Sequence, residues 1–410
     1  MRASSIAQRC CAPSWEARNT SDPLDSLDPL EVHPDDRPYA WAEVDLDAIA
    51  ANAALLRSMA SPAALCAVVK GWGYGHGIAR AATAAVRGGA TWLGVALVSE
   101  AIELRRNLNQ PILVLAEPPL RQLVDVARLD GVRPTLYTAE AIQAAAKAAR
   151  DVGRSTPLPV HLKVDTGMHR VGAAPEAIAH LAAMVESSEE LVLEGLCTHL
   201  AVSEDPDRDA FTALQIARFE EARAELAAIG VHPPLLHVAN SGGVLAHPAA
   251  AYDMVRCGIA LYGIAPRPRM PRADGLRPAM ALKARVSYVK RVKAGEGISY
   301  GLHHVCAAPS VIATVPIGYY DGVPRRLGLV GGEVLIGGRP RPIVGAVTMD
   351  QLMVDCGDDE GVRVRDEVVL FGHQGDATIS AWDWAERLDT IAYEIVCGIS
   401  IQRVPRRYTP

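Results

Sequence analysis

The sequence predicts a (β/α)8 barrel followed by a smaller, mostly β domain, and two features of the chain indicate this fold. Short apolar runs alternate with alanine-rich helical stretches from residue 64 to about residue 255, as in repeated βα units. Beyond about residue 266, short strand-like runs are separated by glycine and proline turns. A doubly wound parallel sheet is the alternative for the first part, because it also alternates strands and helices.

The amino-terminal segment, residues 1–36, is polar and contains repeated Ser, Asp and Pro. This composition predicts a disordered extension, and no hydrophobic region follows Arg2 as a secretory signal would require. Ordered structure is expected to begin with an alternating strand over 40–46, which belongs either to the barrel or to the β domain. A helix capped by Asp45 or Asp47 should follow. The expected domains are therefore a barrel over 37–266 and a β domain over 267–410.

Eight apolar runs, most of them ending in a polar or glycine residue, are the predicted barrel strands. The fourth run is interrupted by Pro134, and the eighth is very short. Between the runs lie helical patterns, for example over 139–150 and 213–229. The predicted strands span residues 64–69, 92–97, 112–115, 132–136, 160–164, 192–197, 235–238 and 254–255.

The carboxyl-terminal part alternates apolar and polar residues over 280–292, which is typical of strands with one buried face. One late helix is expected near 379–388. The remaining predicted strands are short and span residues 311–315, 333–336, 343–347, 351–354 and 367–371.

Composition limits the possible partners of the protein. A net charge of -6 argues against nucleic acid as the main partner. No apolar run approaches the ~20 residues that span a bilayer, so no membrane association is expected and the protein should be soluble. The eight cysteines show neither metal-ligand spacing nor the density of a disulfide scaffold. We therefore expect a protein of the reducing cytoplasm without a metal site.

The most informative stretch is residues 66–77, where a buried strand ends at Lys70 and a glycine-spaced loop follows. Lysine is seldom buried unpaired, and desolvation lowers the pKa of its amine and makes the amine nucleophilic. A salt-bridged structural lysine is the alternative. The glycine spacing is not a dinucleotide fingerprint, because His76 stands where the third glycine would fall, and no P-loop lysine follows.

Active sites of barrel enzymes lie at the carboxyl ends of the strands, so residues that follow the predicted strands are candidates. A serine hydroxyl and glycine N–H groups after strands seven and eight suit a phosphate dianion. Together with an amine, a histidine and arginines, they suit a site for pyridoxal 5'-phosphate (PLP), although each segment alone could be a turn or a salt bridge. The strand-end segments are 163–170, 198–199, 240–243 and 256–259.

Residues 66–77 resemble the cofactor-lysine motif of alanine racemases, PLP enzymes that interconvert L- and D-alanine. The later segments match that family in order and spacing from about residue 41 to residue 405. The resemblance implies that Lys70 holds PLP as a Schiff base and that Tyr74 helps to hold its phosphate. It also implies that Arg256 contacts the pyridine nitrogen. Because a guanidinium keeps its proton, the ring nitrogen would stay unprotonated and the ring would be a weaker electron sink.

Racemisation needs an acid–base group on each face of the α carbon. By resemblance these groups are Lys70 and Tyr300, and His199 links the tyrosine to Arg256. In the family this tyrosine comes from the partner subunit of a head-to-tail dimer. The resemblance therefore implies a homodimer with shared active sites that supplies D-alanine, which bacteria use in peptidoglycan.

Other site residues carry over from the same resemblance. Arg170 would contact the substrate carboxylate and the cofactor hydroxyl oxygen, and Lys163, which is carbamylated in several family members, would orient Arg170. Tyr319 matches a tyrosine of the substrate entryway. Met349 and Asp350 match a pair whose backbone N–H receives the substrate carboxylate across the dimer. The implied phosphate ligands are Ser241, Gly258, Ile259 and Tyr393.

The chain departs from the family pattern at three positions near these motifs. Trp72 brings an indole close to the cofactor lysine, His169 stands where a glycine is common, and Ala346 replaces an arginine. A changed pocket wall or gate alters discrimination between amino acids by about 1–3 kcal/mol. The alternative prediction is therefore a racemase of the same family that acts on serine or on a broad set of amino acids.

Overall fold

The barrel is the larger part of the computed structural model, which describes residues Tyr39–Pro410. The predicted extension over residues 1–36 lies outside the described residues. The chain enters on strand β1 (Ala40–Asp45), and helix α1 (Leu46–Ala60) follows directly. The carboxylate of Asp45 accepts the N–H of Ala48 at 2.7 Å, so Asp45 is the helix cap, worth about 1 kcal/mol.

Eight parallel strands form a nearly closed barrel, which confirms the predicted fold and excludes the doubly wound alternative. Neighbours in the sheet are also neighbours in sequence, except that the last strand pairs with the first. Pro134 is accommodated within the fourth strand. The strands are β2 (Ala64–Val68), β3 (Trp92–Val95), β4 (Ile112–Val114), β5 (Val132–Leu136), β6 (Leu158–Lys163), β7 (Leu191–Cys197), β8 (Leu235–His237) and β9 (Met254–Cys257).

The helices between these strands pack apolar faces, rich in alanine and leucine, against the outside of the barrel. Small side chains let helix and strand backbones approach closely, and the burial of their apolar surface stabilises the barrel. The segment α2 (Lys70–Tyr74) is a single left-handed turn. The other helices after α1 are α3 (Ile78–Arg87), α4 (Val98–Arg105), α5 (Leu123–Arg128), α6 (Ala139–Asp151), α7 (Ile178–Glu186), α8 (Asp209–Ala228) and α9 (Ser241–Ala246).

The carboxyl-terminal part consists of strands and two helices around a second apolar core. Its strands are β10 (Met280–Arg285), β11 (Tyr288–Val292), β12 (Gly297–Ile298), β13 (His304–Val305), β14 (Ser310–Val315), β15 (Glu333–Ile336), β16 (Arg339–Pro342), β17 (Leu352–Asp355), β18 (Glu367–Gln374), β19 (Ala377–Ile379) and β20 (Arg406–Thr409). The helices are α10 (Ala381–Leu388) and α11 (Ala392–Gly398).

The main sheet of this part has the order β16-β15-β18-β10-β1-β20, so the first strand of the described chain lies within it. Strand β1 is antiparallel to β10 and parallel to β20. A second sheet has the order β11-β14-β17. The boundaries proposed above at residues 36/37 and 266/267 stay predictions, because residues 39–410 cluster as one compact unit.

Two local expectations differ from the structure. The strand expected over 343–347 is wrong, since the partner of β15 is β16, and Ile343 forms only an isolated bridge with Val354. Gly345 has a φ of 73°, a left-handed conformation that interrupts an extended strand. Helix α11 was not expected. Within residues 39–410, no helix is both long and apolar enough to cross a bilayer.

Candidate active site

A cavity of about 320 Å³ lies at the carboxyl ends of the barrel strands, where the strand-end argument places a site. Its walls also include His237 and Thr135, which sequence reasoning did not single out, and Asn240, which begins the predicted strand-end segment 240–243. The predicted site residues that line it are Lys70, Tyr74, Lys163, Arg170, His199, Ser241, Arg256, Gly258, Ile259 and Tyr393.

The other predicted residues do not line this cavity. Tyr300, Tyr319 and Met349 lie on turns and loops of the carboxyl-terminal part, with 74%, 42% and 50% of their surfaces exposed. Asp350 is also exposed, and its carboxylate accepts a bond from Arg403 at 2.8 Å. Within one chain, the structure therefore does not bring these four residues to the cavity.

Lys70 begins a left-handed turn, α2, directly after strand β2. The φ angles of Gly71, Trp72 and Gly73 are 62°, 53° and 67°, and that of Tyr74 is 51°. Glycine adopts this conformation without the strain between Cβ and carbonyl that other residues experience. Glycine at positions 71 and 73 therefore reduces the backbone strain of this turn. The turn places the amine of Lys70 and the ring of Tyr74 at the same cavity.

The surroundings of Lys70 favour a neutral amine. Burial and the nearby cation of Arg170 lower the pKa of Lys70, and the carboxylate of Glu100 opposes them in part. Glu100 accepts N–H groups from Gly71 at 2.6 Å and from Ala96 at 2.9 Å, so it also ties the turn to the start of α4. A neutral amine is the nucleophilic form of lysine. Glu100 was missed, although a glutamate in the first helical turn after a barrel strand was a visible signal.

One corner of the cavity collects hydroxyl groups. The hydroxyl of Ser241 accepts the N–H of Gly258 at 3.0 Å, and the rings of Tyr74 and Tyr393 lie 6.3 Å apart. Burial raises the pKa of both tyrosines above the usual range, so both remain protonated hydrogen-bond donors. A Cβ at position 258 would come within 2.3 Å of the Tyr74 hydroxyl, which explains the glycine there. Such a cluster of donors suits a phosphate group.

Arg256 lies on the cavity floor and is buried. Its guanidinium donates to the backbone carbonyls of Thr198, His237 and Val238 at 2.7, 2.7 and 3.1 Å and to Nδ1 of His237 at 2.8 Å. Its Nη2 also lies 3.4 Å from Nδ1 of His199. All of these acceptors are neutral, so none of them cancels the electrostatic field of the guanidinium in the cavity.

The lining residues fit PLP. A nucleophilic amine suits its aldehyde, the hydroxyl corner suits its phosphate, and Arg256 suits its ring nitrogen. The hydroxyl of Thr135 is buried on the cavity wall and has no partner among the described residues, as expected where a polar ligand belongs. The cavity volume lies at the lower end of the range for small-molecule sites.

Comparison with known proteins identifies the family. A model of the N-terminal domain of alanine racemase matches residues 44–266, and a model of the C-terminal domain matches residues 279–408. The chain belongs to the alanine racemase family. An alanine racemase from Symbiobacterium thermophilum is 48% identical over 90% of this chain and 96% of the relative.

Solved structures agree with this assignment. The alanine racemase from E. faecalis has a TM-score of 0.84 and 39% identity, and the match covers 91% of this chain and 98% of that chain. A histidine racemase from Leuconostoc mesenteroides has a TM-score of 0.82 and 30% identity over 91% and 99% of the two chains. Curated relatives named alanine racemase make this chain an isomerase.

None of the three residues that depart from the family pattern lines the cavity. Trp72 packs under Arg406, at 5.3 Å from the guanidinium carbon to the ring centre. His169 is exposed, has a φ of 54°, and lies 3.4 Å from the carboxylate of Asp165. Ala346 is buried, and its carbonyl accepts the hydroxyl of Ser299 at 2.7 Å. The structure therefore gives these residues no direct contact with a ligand in the cavity.

Proposed function

We propose that this protein interconverts L-alanine and D-alanine with PLP bound in the barrel cavity. The observation that carries the proposal is the cavity itself, which brings a desolvated amine, a hydroxyl corner and a buried guanidinium together. The family membership supports alanine as the substrate. Relatives named alanine racemase do not favour the alternative of serine or a broad set of amino acids.

Different residues of the chain would hold the cofactor, transfer the proton and bind the phosphate. PLP, when bound, withdraws electrons from the α carbon of the substrate and so makes its proton acidic. Lys70 would hold the cofactor through its amine, and the same amine would exchange a proton with one face of the α carbon. Tyr74, Ser241, Tyr393 and the backbone N–H groups of Gly258 and Ile259 would bind the phosphate. Arg256 would face the ring nitrogen and keep it unprotonated.

The second proton donor would be Tyr300 from the partner subunit of a homodimer. Tyr300 is the most exposed large hydrophobic residue within residues 39–410, and exposed Leu302, Tyr320 and Met349 lie in the same part of the fold. Exposed apolar groups of this kind are typical of protein interfaces. Burial and the cation of Arg256 lower the pKa of His199 well below its usual value, so this histidine is neutral. Because its Nδ1 faces the guanidinium of Arg256, its proton is on Nε2, which could donate a hydrogen bond to the hydroxyl oxygen of a tyrosine.

The remaining predicted roles concern the substrate carboxylate. Arg170 lines the cavity and would bind it. A backbone N–H of the pair Met349–Asp350 would receive the same carboxylate across the dimer, and Tyr319 would line the substrate entryway. Lys163 is 7% exposed, and no carboxylate within residues 39–410 pairs with it. Burial lowers its pKa, and the cations of Arg256, Arg170 and Lys70 lower it further, against the opposing effect of Cys197. A carbamate, formed when the neutral amine adds CO2 and loses a proton, would supply the missing anion.

Labelling with 13CO2 tests the carbamate, since a carbonyl NMR signal that is absent in Lys163→Ala is expected. A signal that persists in this variant would exclude Lys163.

D-alanine for peptidoglycan is the proposed biological product. The proposed compartment is the cytoplasm, supported by free buried cysteines such as Cys66, Cys197 and Cys257, which a reducing compartment preserves.

A racemisation assay with added PLP on L-alanine, L-serine, L-arginine and L-lysine tests the function. Alanine should be the best substrate, and a larger amino acid in its place would overturn the proposal. Borohydride reduction followed by peptide mass spectrometry should locate the pyridoxyl group on Lys70. In Lys70→Ala both this modification and the visible absorption of the bound cofactor should disappear, and their survival would refute the role of Lys70.

A further inference from the structure

A chain of hydrogen bonds crosses the interior of the barrel from Glu194 on β7 to Arg256 on β9. The carboxylate of Glu194 lies 3.1 Å from Nε2 of His161, and Nδ1 of His161 lies 2.8 Å from Nε2 of His237. Nδ1 of His237 lies 2.8 Å from Nη1 of Arg256. Both histidines are fully buried. Apolar side chains usually fill the interior of such barrels, so a polar chain here requires an explanation.

The chemistry of its two ends determines the direction of every bond in this chain. A guanidinium can only donate, so Nδ1 of His237 must accept and its proton must be on Nε2. That proton is donated to Nδ1 of His161, which places the proton of His161 on Nε2, facing Glu194. An ionised carboxylate can only accept, so Glu194 accepts the proton of His161. Each of the three bonds then has one donor and one acceptor. Both imidazoles are therefore neutral and carry their proton on Nε2.

The far end of the chain is held by a second arginine. Arg133 donates to both oxygens of Glu194, at 2.9 and 3.2 Å, and its guanidinium carbon lies 5.3 Å from the ring centre of Trp92. Burial opposes ionisation of Glu194, but the bonds from His161 and Arg133 outweigh it and lower its pKa to about 2. Burial lowers the pKa of both His161 and His237, in agreement with neutral rings.

We propose that Glu194, His161 and His237 are positioning residues that orient the guanidinium of Arg256 toward the cavity. The inference rests on the proposed function, because Arg256 is taken to act on the cofactor ring. A carboxylate bonded directly to Arg256 would also orient it, but would cancel much of its field at the cavity. With the two neutral imidazoles in between, Nδ1 of His237 accepts the hydrogen bond that orients Arg256. The negative charge of Glu194 stays two rings away from the guanidinium.

The direct test is imidazole 15N NMR of the cofactor-free protein, assigned with single histidine variants. His161 and His237 should both be neutral Nε2–H tautomers around pH 7. A Nδ1–H tautomer or a charged ring at either position would overturn the proposal. This measurement does not depend on racemisation. The NMR result therefore tests the positioning role, and the racemisation assay on the wild-type protein tests the proposed function separately.

The second test uses His237→Phe and His161→Phe, which preserve ring volume and remove the bonds. Each should lower kcat by about 10- to 100-fold with little change in KM, since misplaced catalytic groups cost this much. Because both act through Arg256, the double variant should be no worse than either single variant. If the losses in kcat add in the double variant, or if only His237→Phe lowers kcat, the hydrogen-bonded chain does not act on Arg256 as far as Glu194.

Where the phenylalanine variants do not fold, Glu194→Gln keeps an acceptor oxygen for His161 and removes the charge. It should lower kcat and shift the absorption spectrum of bound PLP. Glu190→Gln is the matched control, because Glu190 also pairs with an arginine, Arg150 at 2.6 Å, but lies outside the barrel chain. The control should retain wild-type kinetics and spectrum, and equal effects of the two substitutions would exclude a specific role of Glu194.

Discussion

The guanidinium of Arg406 lies over the indole ring of Trp72 and at the same time donates to the carbonyl of Gly75 at 2.9 Å. It also donates to the carbonyls of Ile399 and Ser400, at 2.8 and 2.6 Å, at the end of helix α11. Arg406 therefore fastens the turn after Lys70 to the segment that follows the helix carrying Tyr393. Trp72 belongs to this contact and not to the wall of the cavity.

Replacement of Trp72 should therefore affect stability more than substrate choice. Trp72→Leu removes the cation–π contact, and we expect the free energy of unfolding to fall by about 1 kcal/mol. The ranking of amino acids in the racemisation assay should not change. Denaturant unfolding and the substrate panel measure the two effects. A new preferred substrate would show that the indole reaches the ligand after all.

Gly71→Ala should destabilise the cofactor turn through its backbone alone. No atom lies within 4 Å of a Cβ built at this position, so no clash arises, but the φ of 62° costs an L-residue about 1 kcal/mol. Because Gly71 follows Lys70, PLP affinity should fall as well. Unfolding curves and PLP titrations measure the two effects.

Two glycines provide controls for Gly71→Ala. Gly153 has a φ of 67° and equally open space, so Gly153→Ala should lose similar stability without a change in PLP affinity. Gly398 has open space and no left-handed φ, so Gly398→Ala should be nearly neutral. If Gly71→Ala is as neutral as Gly398→Ala, the left-handed geometry of the turn imposes no constraint.

Mixing two inactive variants tests the shared active site. Lys70→Ala and Tyr300→Phe should each lose racemisation, and Tyr300→Phe should retain PLP and fail mainly in one direction of proton transfer. If each site combines Lys70 of one subunit with Tyr300 of the other, a mixed dimer contains one intact site. Equal mixing should then restore about a quarter of wild-type activity.

Tyr288→Phe is the matched control for Tyr300→Phe, because Tyr288 is another exposed tyrosine of the same part of the chain. It should remain active alone. If the mixture of Lys70→Ala and Tyr300→Phe stays inactive after refolding together, the two residues do not act across subunits.

Acid should destabilise the protein before its carboxylates titrate. Burial lowers the pKa of His76 to about 4, and burial lowers those of His161, His199 and His237 as well. An unfolded histidine binds a proton near pH 6.5, whereas these folded ones do not, so the unfolded state gains protons first. The free energy of unfolding should therefore decline as pH falls from about 6.5 toward 4, by up to about 1.4 kcal/mol per pH unit for each histidine.

Denaturant unfolding at pH 7, 6 and 5 measures this slope. His76→Gln should flatten it, since the amide can still donate to the carbonyl of Tyr74, which the ring reaches at 2.9 Å. His180→Gln, an exposed position on α7, should leave the slope unchanged. A wild-type slope of zero over this range would mean that the buried histidines are already protonated.

The barrel strands were predictable because most of them are largely apolar runs between helical patterns. The error over 343–347 has a local cause, since apolar residues there are buried by tertiary contacts around Gly345 and not by strand pairing. The residues of the cavity were predictable from strand ends and from the family resemblance. The pair His161–Glu194 was not predictable, because its partners Arg133 and His237 are distant in sequence.

By itself the sequence determined the order of elements, the strand-end candidates and the family pattern, since local periodicity and motif spacing carry that information. Only the tertiary structure decided which faces meet. It placed Trp72 against Arg406 and outside the cavity, because a left-handed turn redirects its side chain. It also joined Glu194 to Arg256 through two histidines, because barrel closure brings β6, β7, β8 and β9 around one interior.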